Sequence, residues 1–412
     1  MQRETSVYGY RWVVLAAFML VNLTIQLLWI SYAPVTSAAT GYYGVSALAV
    51  GLLAMTFMLV YLPLSLPAAH LIDTRGLRVA AGFGALLSGV GGVARGLVGP
   101  RYGLALGATL AVAVAQPFLL NAWTTVSNHW FPRSQRATAV SLITLANLVG
   151  TGAGMALTPV LVASMSVGSV QLLYGACALV AGVLFVLLAR DRPPTPPETD
   201  SVDERALMVE GLRHAVHVPP FLVFLGLVFV AMGVFNGVST WIEEIVRPRG
   251  FSSTDAGDLG ALLLLGGVIG AVVLSALSDR TQRRVPFISL ALVLAAPALV
   301  GIALAEDRLG LFASGFLLGF FMTSALPVGL EYSADITRPT PVGTSNALIQ
   351  LVGQASVVFV YLMALTRTST GSFLPSLSVL AGLLLIGGVV ALRMPEVRPS
   401  PGSVGSDPVT RL

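Results

Sequence analysis

The chain has 412 residues, of which 55% are hydrophobic and 10% charged, and its mean hydropathy is +0.85. Soluble domains carry about 25% charged residues, so this composition excludes a water-soluble globular protein and places the chain in a lipid bilayer. The formal charge of +4 does not describe a nucleic-acid surface, because the cationic residues are scattered between apolar segments.

Twelve apolar stretches follow one another, each near the roughly 20 residues that carry a helix across about 30 Å of hydrocarbon while satisfying its own backbone. They cover 12–34, 47–70, 78–98, 103–129, 137–164, 169–189, 220–245, 257–278, 286–305, 309–333, 343–366 and 373–393. The first is longer than a signal-peptide core and runs on past Trp29, so it reads as a retained helix. Cys177 is the single cysteine and falls in the sixth stretch. It reads as a packing residue, with no disulfide framework, metal site or cofactor expected.

All 23 cationic residues are arginines, and the alternate connections share them unequally. The set containing both termini holds seventeen; the other holds Arg95, Arg101, Arg247, Arg249, Arg308 and Arg367. The positive-inside rule then puts both termini in the cytoplasm, which suits a multi-pass protein of the plasma membrane.

Between the sixth and seventh stretches the chain becomes proline-rich and charged, and residues 191–218 read as a linker. It divides a first half, 1–190, from a second, 219–394, with a disordered cytoplasmic tail expected over 395–412. His214 and His217 in the linker lack carboxylate or cysteine companions at ligand spacing, so no metal is expected there.

After the second stretch the sequence is Asp73-Thr-Arg-Gly76-Leu-Arg78, and after the eighth it is Asp279-Arg-Thr-Gln282-Arg283-Arg284. An aspartate at a helix end followed by arginines in a short loop thus occurs twice, at equivalent places, as in parallel internal repeats. The motif resembles the loop signature of the major facilitator superfamily, with Gln282 where glycine is usual. That resemblance implies an all-α membrane protein with twelve transmembrane helices in two six-helix pseudo-symmetric halves. It also implies a gating role for Asp73, Arg78, Asp279 and Arg283, since a carboxylate there can cap a neighbouring helix and pair with arginine. Membrane-boundary anchoring is the other reading of these residues. Glu331, near the same end of the tenth stretch, is expected to pair with Arg283 or Arg338 and joins the gating set.

Polar groups in hydrocarbon face cavities or helix contacts, and several stand at helical spacing. Asn22, Gln26 and Trp29 share one face of the first stretch; Asn121, Thr125 and Asn128, with Trp123 nearby, share one of the fourth. Asn236, Thr240 and Glu243 do so in the seventh, and Thr323, Pro327 and Glu331 in the tenth. Those four stretches are equivalent in the repeats and are expected to line a central pathway, with interhelical hydrogen bonding as the other explanation. Gly150, Gly152, Gly154, Gly266 and Gly270 read as contact surfaces. A phosphate loop is excluded, since no lysine exists to complete one.

No arginine or histidine lies at mid-membrane in the four pathway stretches, so an anion would lack a counter-charge. A neutral or cationic solute fits better, with Trp29, Tyr32, Trp123 and Trp241 as aromatic faces for a cation. Glu243 and Glu244, at a helix end, read as a solvated pair near the mouth.

Several segments together resemble the heme and choline transporter family named after the feline leukaemia virus subgroup C receptor. They include Trp29-Ile-Ser-Tyr32, Tyr42-Tyr-Gly-Val-Ser-Ala-Leu48, Gly319-Phe-Phe-Met-Thr323 and Leu326-Pro-Val-Gly-Leu-Glu331. The resemblance implies movement of choline or a related amine held in an aromatic cage. The family's first-helix tryptophan falls on Trp29 and its eleventh-helix glutamine on Gln354, while Leu148, beside Asn147, and Asn236 replace a glutamine and a tyrosine. The expected substrate-binding set is Asn22, Gln26, Trp29, Asn121, Trp123, Asn147, Asn236, Trp241 and Gln354. The expected function is a monomeric secondary carrier, not an enzyme, whose partners are a small solute and the bilayer. An exporter of amphiphilic or heme-like cargo and a non-transporting receptor are the alternatives.

Overall fold

The computed structural model describes residues 8–194, 211–340 and 342–396. Its twelve membrane-length spans are α1 Arg11–Tyr43, α2 Ala47–Arg75, α3 Leu77–Leu97, α4 Tyr102–Trp130, α5 Gln135–Val162, α6 Val167–Leu188, α7 Pro219–Thr240, α8 Ser253–Thr281, α9 Val285–Leu304, α10 Arg308–Ile336, α11 Gly343–Leu365 and α12 Leu374–Ala391. They form two six-helix halves, α1–α6 and α7–α12, as the sequence repeat predicts. An even number of crossings brings the start of α1 and the end of α12 to one side, called the terminal end below; the opposite end is distal. Among the described residues there is no strand, in keeping with a solvent that cannot satisfy an open sheet edge. Residues 195–210 of the expected linker and 397–412 of the expected tail lie outside the described residues.

Local chemistry sets the ends of the spans. Ser46 accepts the Ala49 N–H at 3.3 Å to start α2, and Asp307 accepts that of Gly310 at 2.7 Å to start α10. Ser252 and Asp255 form a reciprocal capping box at the start of α8. Gly76, at φ +86°, turns the chain between α2 and α3 through a region that strains any residue bearing a Cβ.

Four spans are interrupted although their hydropathy is continuous. α1 is helical to Ile30, then passes through a 3-10 segment, Ala33–Val35, into a short helix, Thr36–Tyr43. Pro34 supplies no N–H to the helical ladder. α4 stops at Leu120 and resumes at Trp123, α7 continues past Trp241 as Ile242–Val246, and α11 breaks at Ser356.

Glycines set the tightest helix contacts. Gly266 and Gly270 of α8 lie on the Phe316 and Phe320 carbonyls of α10, and Gly319 of α10 lies on the Leu263 carbonyl of α8. In the first half, Gly150 and Gly154 of α5 lie on Leu23 and Ile30 of α1. Small residues let the backbones approach where lipid offers no hydrophobic drive for association. Across the halves, Gly152 faces Leu264, Met155 of α5 packs on Gly257 and Gly260 of α8, and Trp241 lies on Gly51 of α2.

Cys177 is exposed on the outside of the bundle and is not a packing residue. Arg95 belongs to the last turn of α3, not to a connection, and is fully buried.

Candidate functional site

Asn22 organises the polar centre of the first half. Its side-chain oxygen accepts the Trp123 indole N–H at 2.8 Å and the Asn147 amide at 3.3 Å, while its own amide donates to the Phe18 carbonyl at 3.0 Å. Three expected site residues, from α1, α4 and α5, therefore meet in one cluster. Asn121 does not join them. The break in α4 turns it toward α2, where its oxygen accepts the Tyr61 hydroxyl and its amide donates to the Ser65 carbonyl, both at 2.8 Å.

Gln26 and Trp29 lie one and two turns further along α1. Trp29 is 8% exposed, and its indole nitrogen and the Gln26 side-chain oxygen are both buried without a hydrogen-bond partner. Unpaired buried polar atoms are costly, at about 1–3 kcal/mol each, and call for a partner such as a water, an ion or a ligand. One is a donor and the other an acceptor.

In the second half Asn236 is buried and donates to the Ser356 hydroxyl at 3.2 Å, at the break in α11. Gln354, half-buried, stands two residues before that break. Trp241 is sealed in packing: its indole donates to the Val360 carbonyl at 2.9 Å, and its ring stacks on Phe373 and covers Gly51. It presents no free face to a solute in this conformation.

Glu243 and Glu244 are not a solvated pair; both are buried. Glu244 is held by Arg247 at 3.0 Å and Arg367 at 2.7 Å. Glu243 accepts the Ser37 N–H at 2.8 Å, the Ser37 hydroxyl, and the Ser253 hydroxyl at 2.7 Å. Their burial comes from α1 and the α11–α12 loop, which position at a helix end does not reveal.

Arg95 sits beneath the break in α1. It donates to the Leu28 carbonyl at 2.9 Å and to the Gln171 side-chain oxygen at 2.5 Å, and stands 4.9 Å from the Tyr32 ring centroid. Leu28 belongs to the last turn of the first helical segment of α1, whose carbonyls lack helical partners and carry the negative end of the helix dipole. These contacts compensate the buried cation through Nη2 alone, since Nε and Nη1 have no hydrogen-bond partner.

At the terminal end each loop motif closes on its own half. Asp73 is exposed in the last turn of α2 and does not cap a helix. Asp191, beyond α6, accepts the Arg78 N–H at 2.8 Å, and the Arg78 guanidinium donates to the Val186 carbonyl at 3.1 Å. In the second half Arg284, not Arg283 or Arg338, pairs with both Asp279 and Glu331 at 2.5 Å. Arg283 stays near the loop through its backbone, its carbonyl accepting the Ser278 hydroxyl at 2.7 Å. Glu396, beyond α12, accepts the Arg284 N–H at 2.5 Å and the Val285 N–H at 3.2 Å. Thus α6 caps α3 and α12 caps α9.

Comparison with known proteins agrees with this architecture. The profile of the Major Facilitator Superfamily matches residues 14–252 and 242–411. Solute carrier family 49 member A3 of Danio rerio is 30% identical over 413 residues, covering 94% of this chain and 86% of that protein. The choline/ethanolamine transporter FLVCR1 of Felis catus is 28% identical over 373 residues, covering 85% of this chain and 66% of its own length. Among solved structures, a bacterial homolog of the human lysosomal transporter Spinster, inward-facing and unoccupied, superposes with a TM-score of 0.74 at 16% identity. It covers 93% of this chain and 96% of that one.

Proposed function

The chain belongs to the Major Facilitator Superfamily, in the family of the feline leukaemia virus subgroup C receptor-related carriers, and on that premise we propose that it moves a choline- or ethanolamine-like amine by alternating access. The observation that carries this reading is the pair on α1: a nearly buried tryptophan with an unpaired N–H, one turn from a glutamine with an unpaired oxygen. An amino alcohol offers a cationic head for the indole face, and its hydroxyl can accept from the indole N–H and donate to the glutamine oxygen. Asn22, Trp123 and Asn147 position that face from one side; Asn236 and Gln354 approach from the second half. The named contacts between the halves, through Ser37, Gly51 and Met155, favour a carrier closed at its distal end. The loops around Asp73, Arg78, Asp279, Arg283 and Glu331 serve as the gate at the terminal end.

We place residues 1–190 and 219–394 as the two moving halves, joined by 191–218, in a monomer of the cell membrane whose arginine-rich end faces the cytoplasm. No covalent step is part of this function.

Purified protein in liposomes, given labelled choline and ethanolamine, tests the proposal. Saturable uptake that falls at least tenfold in Trp29→Ala and Gln26→Ala is expected. Saturable uptake indifferent to Trp29 would overturn the site, and absence of both amines from the lumen would overturn the substrate class.

A further inference from the structure

Among the described residues three carboxylates are buried: Glu243, Glu244 and Asp255. Glu244 has two arginines, and Asp255 has Arg308 at 2.8 Å. Glu243 has no cation, only neutral donors: the N–H and hydroxyl of Ser37, and the hydroxyl of Ser253. A buried carboxylate is stable only where its charge is compensated. Here that comes from three hydrogen bonds and from the first turn of the helix Thr36–Tyr43, the positive end of its dipole.

The donors are divided between the halves. Ser253 is on α8, the same half as Glu243, whereas Ser37 is on α1 of the other. Any opening of the distal end that separates α1 from α7 removes both Ser37 donors and leaves a carboxylate at the mouth holding one hydroxyl. Arg247 and Arg367 are bound to Glu244. A cation then restores the compensation; a neutral solute or an anion does not.

We propose that Glu243 is a shared anchor at the distal gate: it holds Ser37 when that end is closed and docks an organic ammonium ion in Ser37's place when it opens. The choice of ligand rests on the amine reading above; the gate contact rests on geometry alone. Because the two occupants exclude each other, a cation on the distal side favours the open state. Reclosure returns Ser37 to Glu243 and frees the cation toward Trp29, on the same span.

Met155 packs on Gly257 and Gly260 at the distal α5–α8 interface and is buried there, so a cysteine in its place reports opening. In a Cys177→Ser, Met155→Cys parent, labelling by a membrane-impermeant maleimide added on the distal side is measured with and without choline or ethanolamine. Glu243→Gln is expected to speed labelling at least threefold, and Glu243→Asp to stay near the parent. The amines are expected to speed labelling at least twofold in the parent and not in Glu243→Gln. Equal rates in parent and Glu243→Gln overturn the gate contact; an equal amine response in both overturns the docking role. A parent that ignores both amines overturns the docking role together with the amine reading, while the labelling rates still decide the gate contact. Should Glu243→Gln fail to fold, Ser37→Ala is expected to speed labelling and to keep the amine response; a rate equal to the parent's overturns the contact.

Discussion

Asp191 accepts the backbone N–H of Arg78 at 2.8 Å across 113 residues of sequence, and Glu396 does the same for Arg284 in the second half. In each half the chain leaving the last helix returns an acid to the N-terminus of the third, satisfying N–H groups that have no helical partner. Asp191→Ala is expected to lower stability by about 1 kcal/mol, the usual worth of such a cap. Glu396→Ala should cost a similar amount. Because the two sites lie in separate halves, the double variant is expected to add their effects, as read from thermal melts in detergent.

Gly76 makes the first of these caps possible. Its φ is +86°, and a Cβ there would stand 2.5 Å from the Asp191 carboxylate. Gly76→Ala is expected to cost more than about 1 kcal/mol. Part of that loss should disappear in the Asp191→Ala background, where only the backbone strain remains. Costs that simply add in the melting cycle would show that the two residues do not compete for the same space.

The twelve spans were legible because hydrocarbon imposes a length and an apolar composition on any crossing helix. The interruptions at Pro34, Asn121, Trp241 and Ser356 were not, because they leave mean hydropathy unchanged. Asn22, Gln26 and Trp29 could be grouped by helical spacing, yet their different fates depend on Trp123 and Asn147 arriving from α4 and α5. Arg95 looked like a connection residue at the edge of an apolar run; its burial depends on carbonyls released by a break in another helix. Glu243 was misread for the same kind of reason, since its partner Ser37 stands 206 residues away. Local pattern carries the spans, and contacts between them carry the site.

Arg95→Met tests the buried guanidinium. The change removes the guanidinium from the Leu28 carbonyl and the Gln171 oxygen and leaves the single Ser31 hydroxyl hydrogen to serve both, so one of the two acceptors goes unsatisfied at about 1–3 kcal/mol. It also removes the cation from the Tyr32 ring. A loss of at least about 2 kcal/mol is expected, with only partial recovery in Arg95→Lys, whose ammonium lacks the planar fork. Melting temperatures within a degree of the parent's for Arg95→Met would contradict this account.

Glu331 stands with its side chain 52% exposed against Arg284 at 2.5 Å. Exposed ion pairs contribute about 0–1 kcal/mol, so Glu331→Gln is expected to leave the melting temperature nearly unchanged. If the loop gates the terminal end, the turnover rate should change severalfold in the same variant. A transport rate equal to the parent's would reduce Glu331 to a surface charge.

Asn22→Leu separates the two tasks of the α1 face. The substitution keeps the branching and the number of heavy atoms but removes the acceptor shared by Trp123 and Asn147, leaving two donors unpaired. Each costs about 1–3 kcal/mol if it finds no replacement, so a clear fall in melting temperature is expected. Trp123 is then free to shift, and with it the wall facing Gln26 and Trp29. The expected kinetic result is an amine KM raised at least threefold, because the binding face is displaced while the gates are untouched. Asn22→Asp keeps the acceptor and adds a negative charge, so it should recover stability in part and favour cations over neutral solutes. If Asn22→Leu instead lowered turnover with KM unchanged, the cluster would belong to the conformational step and not to the amine site.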